Sequence, residues 1–410
     1  MAFIIAAIPF FFLLIAIELV VDKIRKTGYY QFNDAINSLN LGVFSRVTGI
    51  LKAMLPLSVY VWLYQEHRIV DIPNDHWAVW IFAFVVYDLG YYWVHRLSHR
   101  VSIMWASHVV HHSSEEFNLT TALRQTSTPA LFAWVIYLPM AVIGVSPELA
   151  VACGSLNLIY QFWVHTRHVD RMPDWYEAIF VTPSNHRVHH ALNGPYIDKN
   201  YGGVFILWDK LFNSFEDERA DVKIVYGVSY QLNSWNPIWA NLQVYKNILI
   251  DAWRTKRWVD KIKTIFMPPG FRAEDLKKDY PRKYANSKTL IKYDVALSTT
   301  MKAYVLIQFA LVIALTFAYI LHVGNLTLAQ NFAVCGLVMY HCWGISTLQE
   351  AKRYSGVVET LRLLSSSIAL YYFVGNHTVF ALMLGINAIS GAWFYLAKSN
   401  SEGELPSTSP

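Results

Sequence analysis

The chain has 410 residues, of which 54% are hydrophobic and only 15% are charged, and its mean hydropathy is +0.28. A typical soluble domain carries about 25% charged residues. The composition therefore excludes a disordered or fibrous chain and argues against a large soluble enzyme, so a polytopic membrane protein is the predicted class. The three cysteines lie inside apolar runs without paired spacing, which indicates neither a disulfide framework nor a thiolate metal site.

Nine apolar runs follow one another along the chain, and each predicts a membrane-spanning helix because a span needs about 20 mostly apolar residues. The first run has neither the basic start nor the cleavage site of a signal peptide, so we expect a retained anchor. Because backbone in lipid must satisfy its own hydrogen bonds, the predicted fold is an all-α, polytopic helical bundle. The predicted spans are 2–21, the later part of 41–64, 77–94, 129–145, 149–164, 304–321, 328–345, 357–374 and 379–396.

A polar stretch from about residue 167 to 301 separates the apolar runs into two sets, and it contains several Pro and Gly breakers. This change in composition suggests how the chain is organised. The predicted division is into N-terminal membrane anchor helices (1–76), a catalytic domain (77–217), a basic cytoplasmic segment (218–301), C-terminal transmembrane helices (302–398) and a disordered tail (399–410).

The formal net charge of +5 is unevenly distributed, because residues 254–292 contain twelve Lys and Arg against four Asp and Glu. Short loops rich in Lys and Arg remain cytoplasmic, and Lys23, Arg25 and Lys26 follow the first apolar run. The N-terminus is therefore predicted outside and the polar stretch in the cytoplasm. The basic segment then either contacts anionic lipids of the inner leaflet or is a solvated loop. Nucleic acid is not an expected partner, because no nucleic-acid-binding module accompanies the charge.

Histidine is concentrated in three short boxes. Ten of the fifteen histidines lie between His95 and His190, and the boxes read HRLSH, HVVHH and HRVHH. Residues three or four apart share one face of a helix, so each box gathers its imidazoles. One HxxxH pattern is more often a surface pair, but three boxes in a membrane protein indicate metal binding. The predicted ligands from the boxes are His95, His99, His108, His111, His112, His186, His189 and His190.

Two further histidines, His165 and His168, follow the fifth apolar run. His165 is predicted to be a ninth ligand, whereas His168 is left open between a ligand and an interfacial residue. Eight or nine neutral imidazoles can hold two metal ions, but imidazole binds iron, zinc, copper and nickel alike. The boxes contain no carboxylate, unlike the Glu-x-x-His sites of soluble di-iron bundles.

An acidic residue inside a predicted span is the first candidate to support the ligands. Asp88 lies two helical turns before His95, so we expect it to orient a ligand imidazole or to pair with Arg96 or Arg124. Glu115 follows the second box, where it either orients a ring or lies in solvent.

The sequence around the boxes resembles the fatty acid hydroxylase superfamily, which includes the sterol desaturases. The resemblance is carried by DLGYYWVHRLSH at 88–99, WASHVVHHSSE at 105–115, Asn118 and TALRQ at 121–125. Within the superfamily, TPSNHRVHH (182–190), DKNYGG (198–203) and LWDKLF (207–212) look like the branch that cleaves glyceryl ethers, the alkylglycerol monooxygenases.

This resemblance implies an integral membrane di-iron oxygenase that uses dioxygen to hydroxylate a C–H bond of a lipid taken from the bilayer. In the glyceryl-ether branch the ether-linked carbon is hydroxylated, the product collapses to an aldehyde and a glycerol lipid, and tetrahydrobiopterin is the reductant. The resemblance places two irons per chain on the eight box histidines and His165, and the distribution of Lys and Arg predicts that this site lies on the cytoplasmic side. No pterin-binding motif is recognisable, so neither the cofactor-binding residues nor the electron donor is predicted. The residues of the matched motifs that are expected to support the ligands are Asp88, Glu115, Arg124, Gln125 and Asn185.

Two other functions remain open at this point. A sterol or carotenoid hydroxylase or desaturase is the alternative, because the boxes are shared across the superfamily. A non-enzymatic metal transporter is a more distant one, since it would line a path across the spans with histidines, whereas these boxes cluster at one side of the membrane.

Overall fold

The computed structural model describes residues 2–52, 54–128, 133–374 and 376–404, and the regular secondary structure in these residues is helical. Only two isolated β-bridges, Phe180 with Phe205 and Ala191 with Tyr226, depart from this within the described ranges. The predicted all-α fold is confirmed. The α-helices are α1 (Ala2–Arg25), α2 (Phe32–Lys52), α3 (Met54–His67), α4 (Trp77–Arg100), α5 (Ser102–His112), α6 (Leu119–Ala122), α7 (Leu138–Ile143), α8 (Pro147–Trp163), α9 (Asp174–Glu177), α10 (Pro183–His189), α11 (Leu207–Leu211), α12 (Pro237–Arg254), α13 (Trp258–Phe266), α14 (Glu274–Asp279), α15 (Thr299–His322), α16 (Leu328–Gln349), α17 (Ser355–Val374) and α18 (His377–Glu404).

Four helices of the described residues are long and apolar enough to cross a membrane: Phe3–Arg25, Trp77–Arg100, Thr299–Asn325 and Phe380–Lys398. Each coincides with one of the predicted spans. α16 and α17 form further helices of 22 and 20 residues at two other predicted positions. The chain is accordingly a multi-pass membrane protein.

Three predicted spans coincide with helices too short to cross the hydrocarbon core, and the first of them, in the later part of 41–64, is the 14-residue α3. α8 has 17 residues, or about 26 Å, which is less than the ~30 Å hydrocarbon core. The run 129–145 begins with residues 129–132, which lie outside the described residues, and continues as a 3₁₀ turn and the six-residue α7. α7 ends at Gly144, which has φ 114° and approaches the chain so closely that a Cβ would lie 2.0 Å from the Val70 carbonyl oxygen. A hydropathy profile does not reveal such a break, because one glycine hardly lowers the mean hydropathy of the apolar run.

The first of two compact units contains residues 1–31, 49–232 and 241–292. Within it α4 packs against α5 and α8, and α1 packs against α8 and α6. Val101 has an extended backbone (φ −127°, ψ 119°) between α4 and α5, so the chain reverses there and α5 returns along α4. All three histidine boxes belong to this unit.

The second unit contains residues 32–48, 233–240 and 293–410. Its helices α15, α16, α17 and α18 pack in chain order, and α15 also packs against α18, which closes a four-helix arrangement. α18 continues to Glu404, so the tail predicted from residue 399 begins inside a helix, and residues 405–410 lie outside the described residues. The other predicted domain boundaries stay predictions.

Candidate metal centre

The histidine boxes lie on short helices whose ends are set by local sequence. His95 and His99 occupy the last turns of α4, and the second box forms the end of α5. The third box lies on α10, which starts with a capping box: the Thr182 side chain accepts from the Asn185 backbone, and the Asn185 side chain accepts from the Thr182 N–H. Such reciprocal caps are typical of helix starts, so Asn185 determines where the third box begins.

The structure brings all nine predicted ligands together. They form two groups, and within each group one ligand nitrogen per residue lies within 4.8 Å of all the others. Neither group contains a carboxylate or a cysteine among the described residues. The five-histidine group consists of His95, His99, His108, His112 and His189, and the four-histidine group consists of His111, His165, His186 and His190.

The two HxxHH boxes are divided between the groups. In α5 the i, i+4 pair His108 and His112 joins the five-histidine group, whereas His111 turns to the other group. In the third box the pair of residues 186 and 190 joins the four-histidine group and His189 crosses over. On a helix an i, i+4 pair is nearly aligned and the residue at i+3 is rotated from it, so one short helix can serve two adjacent sites.

Backbone carbonyl groups hold four of the rings. The Nδ1 atoms of His95, His111, His165 and His189 donate to the carbonyl oxygens of residues 201, 124, 161 and 199 at 2.7–2.9 Å. Because a carbonyl only accepts, each Nδ1 carries the proton, and the Nε2 of the neutral ring presents a lone pair. This is the orientation that a metal-binding imidazole needs.

These Nε2 lone pairs face one another. The Nε2 atoms of His111 and His165 are 3.2 Å apart, although both rings have their proton on Nδ1. Nε2 of His99 is likewise buried without a hydrogen-bond partner. Lone pairs at this distance repel unless a cation lies between them, so the residues present fit bound metal ions.

Burial keeps these rings neutral, as metal binding requires. Removal from solvent lowers the pKa of His111 to about 4, although the hydrogen bond to the Arg124 carbonyl opposes the shift. Burial first and the neighbouring histidines second hold the pKa of His108, His112, His186 and His190 well below the ordinary range. At neutral pH each of these rings is therefore an uncharged nitrogen donor.

The structure does not give Asp88 the expected contact with a ligand imidazole, because its hydrogen bonds go to Asn157 and to the chain after residue 203. Its carboxylate accepts from the Val204 and Phe205 N–H groups, from the Asn157 amide and from the Trp208 indole at 2.6–3.1 Å. Seven residues of helix amount to about 10 Å, so a residue on the same face two turns away is too far from the His95 ring to orient it. Asp88 instead anchors the loop whose Tyr201 carbonyl holds His95.

Asp209 is a supporting residue that the sequence analysis did not identify. It is fully buried, and its two oxygens accept from the N–H groups of Tyr201 and Gly202, both at 2.7 Å. The LWDKLF motif contained this aspartate, but nothing in the motif showed that its partner is the DKNYGG loop. Gly203 completes the arrangement, since a Cβ there would lie 2.7 Å from the Tyr91 ring.

The remaining supporting candidates have different positions. Arg124 is fully buried, its guanidinium donates to the Val110 carbonyl, and its own carbonyl holds His111. Glu115 is buried and accepts from the Gln231 amide, so it does not lie in solvent. Gln125 is exposed and donates to the Ala122 carbonyl, away from the rings. His168 belongs to neither histidine group and lies 3.9 Å from Asp22.

A cavity of about 330 Å³ adjoins the two groups. His99, His112 and His189 of the five-histidine group line it, and so does His190 of the four-histidine group. The rest of the lining mixes apolar side chains such as Val109 with charged ones. Its size and mixed lining are typical of a small-molecule site.

The fold and the site define the class of histidine-rich membrane oxidoreductases, and comparison with known proteins supports this class. The Fatty acid hydroxylase family matches residues 80–214, which contain every histidine of the two groups. No solved structure matches the chain.

The chain is similar over most of its length to the alkylglycerol monooxygenases of Homo sapiens and Xenopus tropicalis. It is 36% identical to the first over 375 residues (90% of this chain and 82% of the relative). It is 32% identical to the second over 362 residues (87% and 80%). The lathosterol oxidase of Rattus norvegicus is 27% identical over only 169 residues (40% and 54%). The chain therefore belongs to the alkylglycerol monooxygenase family and is an oxidoreductase, which confirms the resemblance seen in the sequence.

Proposed function

We propose that this chain is a membrane-bound di-iron monooxygenase that hydroxylates the ether-linked carbon of an alkylglycerol and so cleaves the ether to an aldehyde and a glycerol lipid. The two adjacent histidine groups, with lone pairs directed at one another, carry the proposal. The similarity to alkylglycerol monooxygenases over about nine-tenths of the chain supports the substrate class.

In this proposal each histidine group holds one iron, and residues 77–217 form the catalytic domain. A lipid C–H bond has no acidic proton, so the bound irons supply the redox chemistry that side chains lack. The protein's part is to keep nine neutral imidazoles in place. The carbonyls of Tyr201, Arg124, Gln161 and Lys199 fix the ring orientation, and Asp88 and Asp209 fix the loop that presents two of those carbonyls.

The cavity next to the histidines binds the substrate. It reaches rings of both groups, so a carbon atom held there would lie beside the residues that would hold both irons. Apolar residues such as Val109 and Ile248 suit an alkyl chain. Asn247 and the Asp251 carboxylate, which pairs with Arg272 and Arg282, offer polar partners to a glycerol headgroup.

The overall reaction needs two electrons besides dioxygen. One oxygen atom enters the C–H bond and the other leaves as water, which requires two electrons and two protons. A reduced pterin such as tetrahydrobiopterin is the proposed source. The hydroxylated ether is a hemiacetal, and its C–O bond breaks to give the aldehyde and the free glycerol hydroxyl.

The site is proposed to face the cytoplasm. The end of α1 lies beside α6 and the segment that follows His165: Glu18 of α1 accepts from the Leu119 N–H and the Thr166 hydroxyl, and Arg25 donates to the His168 carbonyl. Lys23 and Arg25 at this end favour the cytoplasmic side by the positive-inside rule. This support does not depend on the number of spans between α1 and α4.

The decisive experiment supplies purified protein in lipid nanodiscs with a labelled alkylglycerol, dioxygen and reduced pterin, and measures both aldehyde and iron. We expect aldehyde that depends on all three components, and about two irons per chain. Turnover of sterols alone would move the protein to the sterol oxidase branch. Absence of any turnover, together with metal flux when the same protein is placed in sealed lipid vesicles, would indicate a transporter.

A further inference from the structure

The short helix α13 exposes an apolar face that no described part of its own unit covers. Trp258, Ile262 and Phe266 are spaced four residues apart, and their exposed fractions are 79%, 59% and 57%. This spacing aligns them along one side of the helix. Exposed aromatic and aliphatic side chains in such a row are costly in water and typical of a helix that contacts lipid.

The opposite side of α13 belongs to the cavity. Thr264 lies two residues from both Ile262 and Phe266, which is about half a turn away, and it is only 3% exposed. It lines the same cavity as His99 and His112, together with Pro268 from the loop after the helix. α13 is thus a wall with an apolar outer face and the histidine cavity behind it.

Hydrogen bonds hold α13 at the end of a membrane span. The backbone N–H and the hydroxyl of Ser102 both donate to the Met267 carbonyl, at 3.0 and 2.8 Å. Ser102 follows the span Trp77–Arg100 by two residues. The carboxyl end of α13 therefore lies where α4 leaves the hydrocarbon core.

The preceding helix continues the same apolar surface. The Lys261 ammonium donates to the carbonyls of Ala252, Trp253 and Thr255 at 2.7–3.1 Å, so it joins α13 to the end of α12. At this end of α12, Trp253 is 86% exposed and Leu249 is 69% exposed. The exposed cations Arg257 and Lys263 lie next to these apolar residues. Their positive charge is complementary to a layer of anionic lipid headgroups.

We propose that α13 lies in the membrane–water interface, with Trp258, Ile262 and Phe266 among the acyl chains of anionic phospholipids, and that it forms the entry wall through which a lipid passes from the bilayer into the histidine cavity. The interfacial position rests on the exposed apolar face of α13 and on its attachment to the end of the α4 span, and it does not depend on the proposed function. The entry route rests on the proposed function, because it assumes a lipid substrate.

The position of the helix is tested by site-directed spin labelling of the full chain in nanodiscs of phosphatidylcholine with phosphatidylglycerol. The three native cysteines are buried, so a nitroxide attaches at Ile262→Cys. We expect dissolved oxygen to reach this label better than a water-soluble nickel chelate does. The matched control is Lys278→Cys on α14, whose exposed side chain should show the reverse order. The proposal would be overturned if the nickel chelate reached both labels better than oxygen does. It would also be overturned if the label at position 262 became immobile only when a second protein is added, because this face would then bind a protein and not lipid.

The entry route is tested separately with Ile262→Glu. A charge on this face should lower turnover of an alkylglycerol embedded in the bilayer severalfold, while iron content and turnover of a short-chain, water-soluble alkylglycerol stay unchanged. An unchanged rate on the embedded lipid would refute the entry route. Loss of both rates together with iron would show a damaged centre and so contradict a role confined to entry. Absence of ether cleavage in the unmodified protein would refute the proposed function and leave the label result intact.

Discussion

Two regions of this protein bury histidine together with other polar groups, and they do so in opposite ways. In the histidine centre of the first unit, several Nε2 lone pairs point at one another and lack proton donors. In the four-helix arrangement of the second unit, His341 lies in a cluster where donors and acceptors alternate.

That second cluster centres on the ion pair of Arg362 and Glu359, both almost fully buried. The Arg362 guanidinium donates to the Glu359 carboxylate, to Gln308 at 2.5 Å and to Nδ1 of His341 at 3.2 Å. Because Nδ1 of His341 accepts, its Nε2 carries the proton, and this nitrogen lies 3.3 Å from the Ser366 hydroxyl oxygen. This histidine has a partner at both nitrogens.

The comparison shows how to recognise a site among buried histidines. A cluster whose hydrogen bonds are complete stabilises packing and needs no ligand. A cluster whose lone pairs converge without donors has a repulsion that only a cation removes. Burial alone would not have separated the two regions, because His341 is as deeply buried as His95.

The largest effect is expected when a predicted ligand is removed. His111→Ala deletes a donor of the four-histidine group, and activity should fall by more than about 100-fold, because even removing a partner of a ligand costs about 10–100-fold. Iron content should fall in the same preparation. Metal analysis and aldehyde formation measure both.

His168→Ala is the matched control for this experiment, because this histidine lies close by but in neither group. It should keep its iron and its rate within about twofold. Full activity and unchanged iron in His111→Ala would refute the metal centre.

Breaking the second cluster should affect stability and not iron. Glu359→Leu leaves the Arg362 charge buried without its partner, which costs about 3–5 kcal/mol. The thermal midpoint in detergent should fall markedly. The double variant Glu359→Leu with Arg362→Met should recover much of the loss, since it removes both charges. Loss of iron in Glu359→Leu would show that the contrast between the two regions is mistaken.

Acid should destabilise the iron-free histidine centre. The pKa of His111 falls from an ordinary 6.5 to about 4 on folding, so the unfolded chain binds the proton more readily. Its contribution is therefore fully present above pH 6.5 and is lost as the pH falls towards 4, about 3 kcal/mol in all. Thermal midpoints of chelator-treated protein across this range measure the loss.

In the same experiment, His111→Ala should show a shallower dependence on pH than the unmodified chain. Identical slopes for the two proteins would contradict a neutral, buried imidazole at this position.

The smallest effect is expected at the loop that orients the ligands. Asp209→Asn replaces a carboxylate oxygen that accepts from a backbone N–H with an amide that cannot accept, so the Tyr201 carbonyl loses its fixed position. Iron affinity should fall about tenfold, as for other supports of metal ligands. Competition with a chelator measures the affinity.

Asp198→Asn is the control in the same loop, because its exposed pair with Arg100 contributes little. It should bind iron as the unmodified chain does. Equal affinities for Asp209→Asn and Asp198→Asn would show that the loop does not orient the ring of His95.

Much of the site was predictable because the patterns that identify it are formed by residues close together in the sequence. The boxes identified His108, His111 and His112 as ligand candidates from spacing alone, and the motif around Asn185 proved to be a helix cap. The role of Asp88 was not predictable, since three of its four partners come from residues 204–208, more than a hundred positions later. The break at Gly144 was missed for the same reason: it depends on a close approach to Val70.

The sequence by itself determined the membrane class, the all-helical architecture and the set of histidines, because composition and helical periodicity are properties of neighbouring residues. The tertiary structure decided how these histidines divide into two groups, and why His111 and His189 each leave their own box to join the opposite group. It also decided which nitrogen of a ring faces inward, because the carbonyl that accepts from Nδ1 of His95 belongs to Tyr201, more than a hundred positions later. Spacing brings imidazoles to one face of a helix, but only the packing of several helices makes their lone pairs converge.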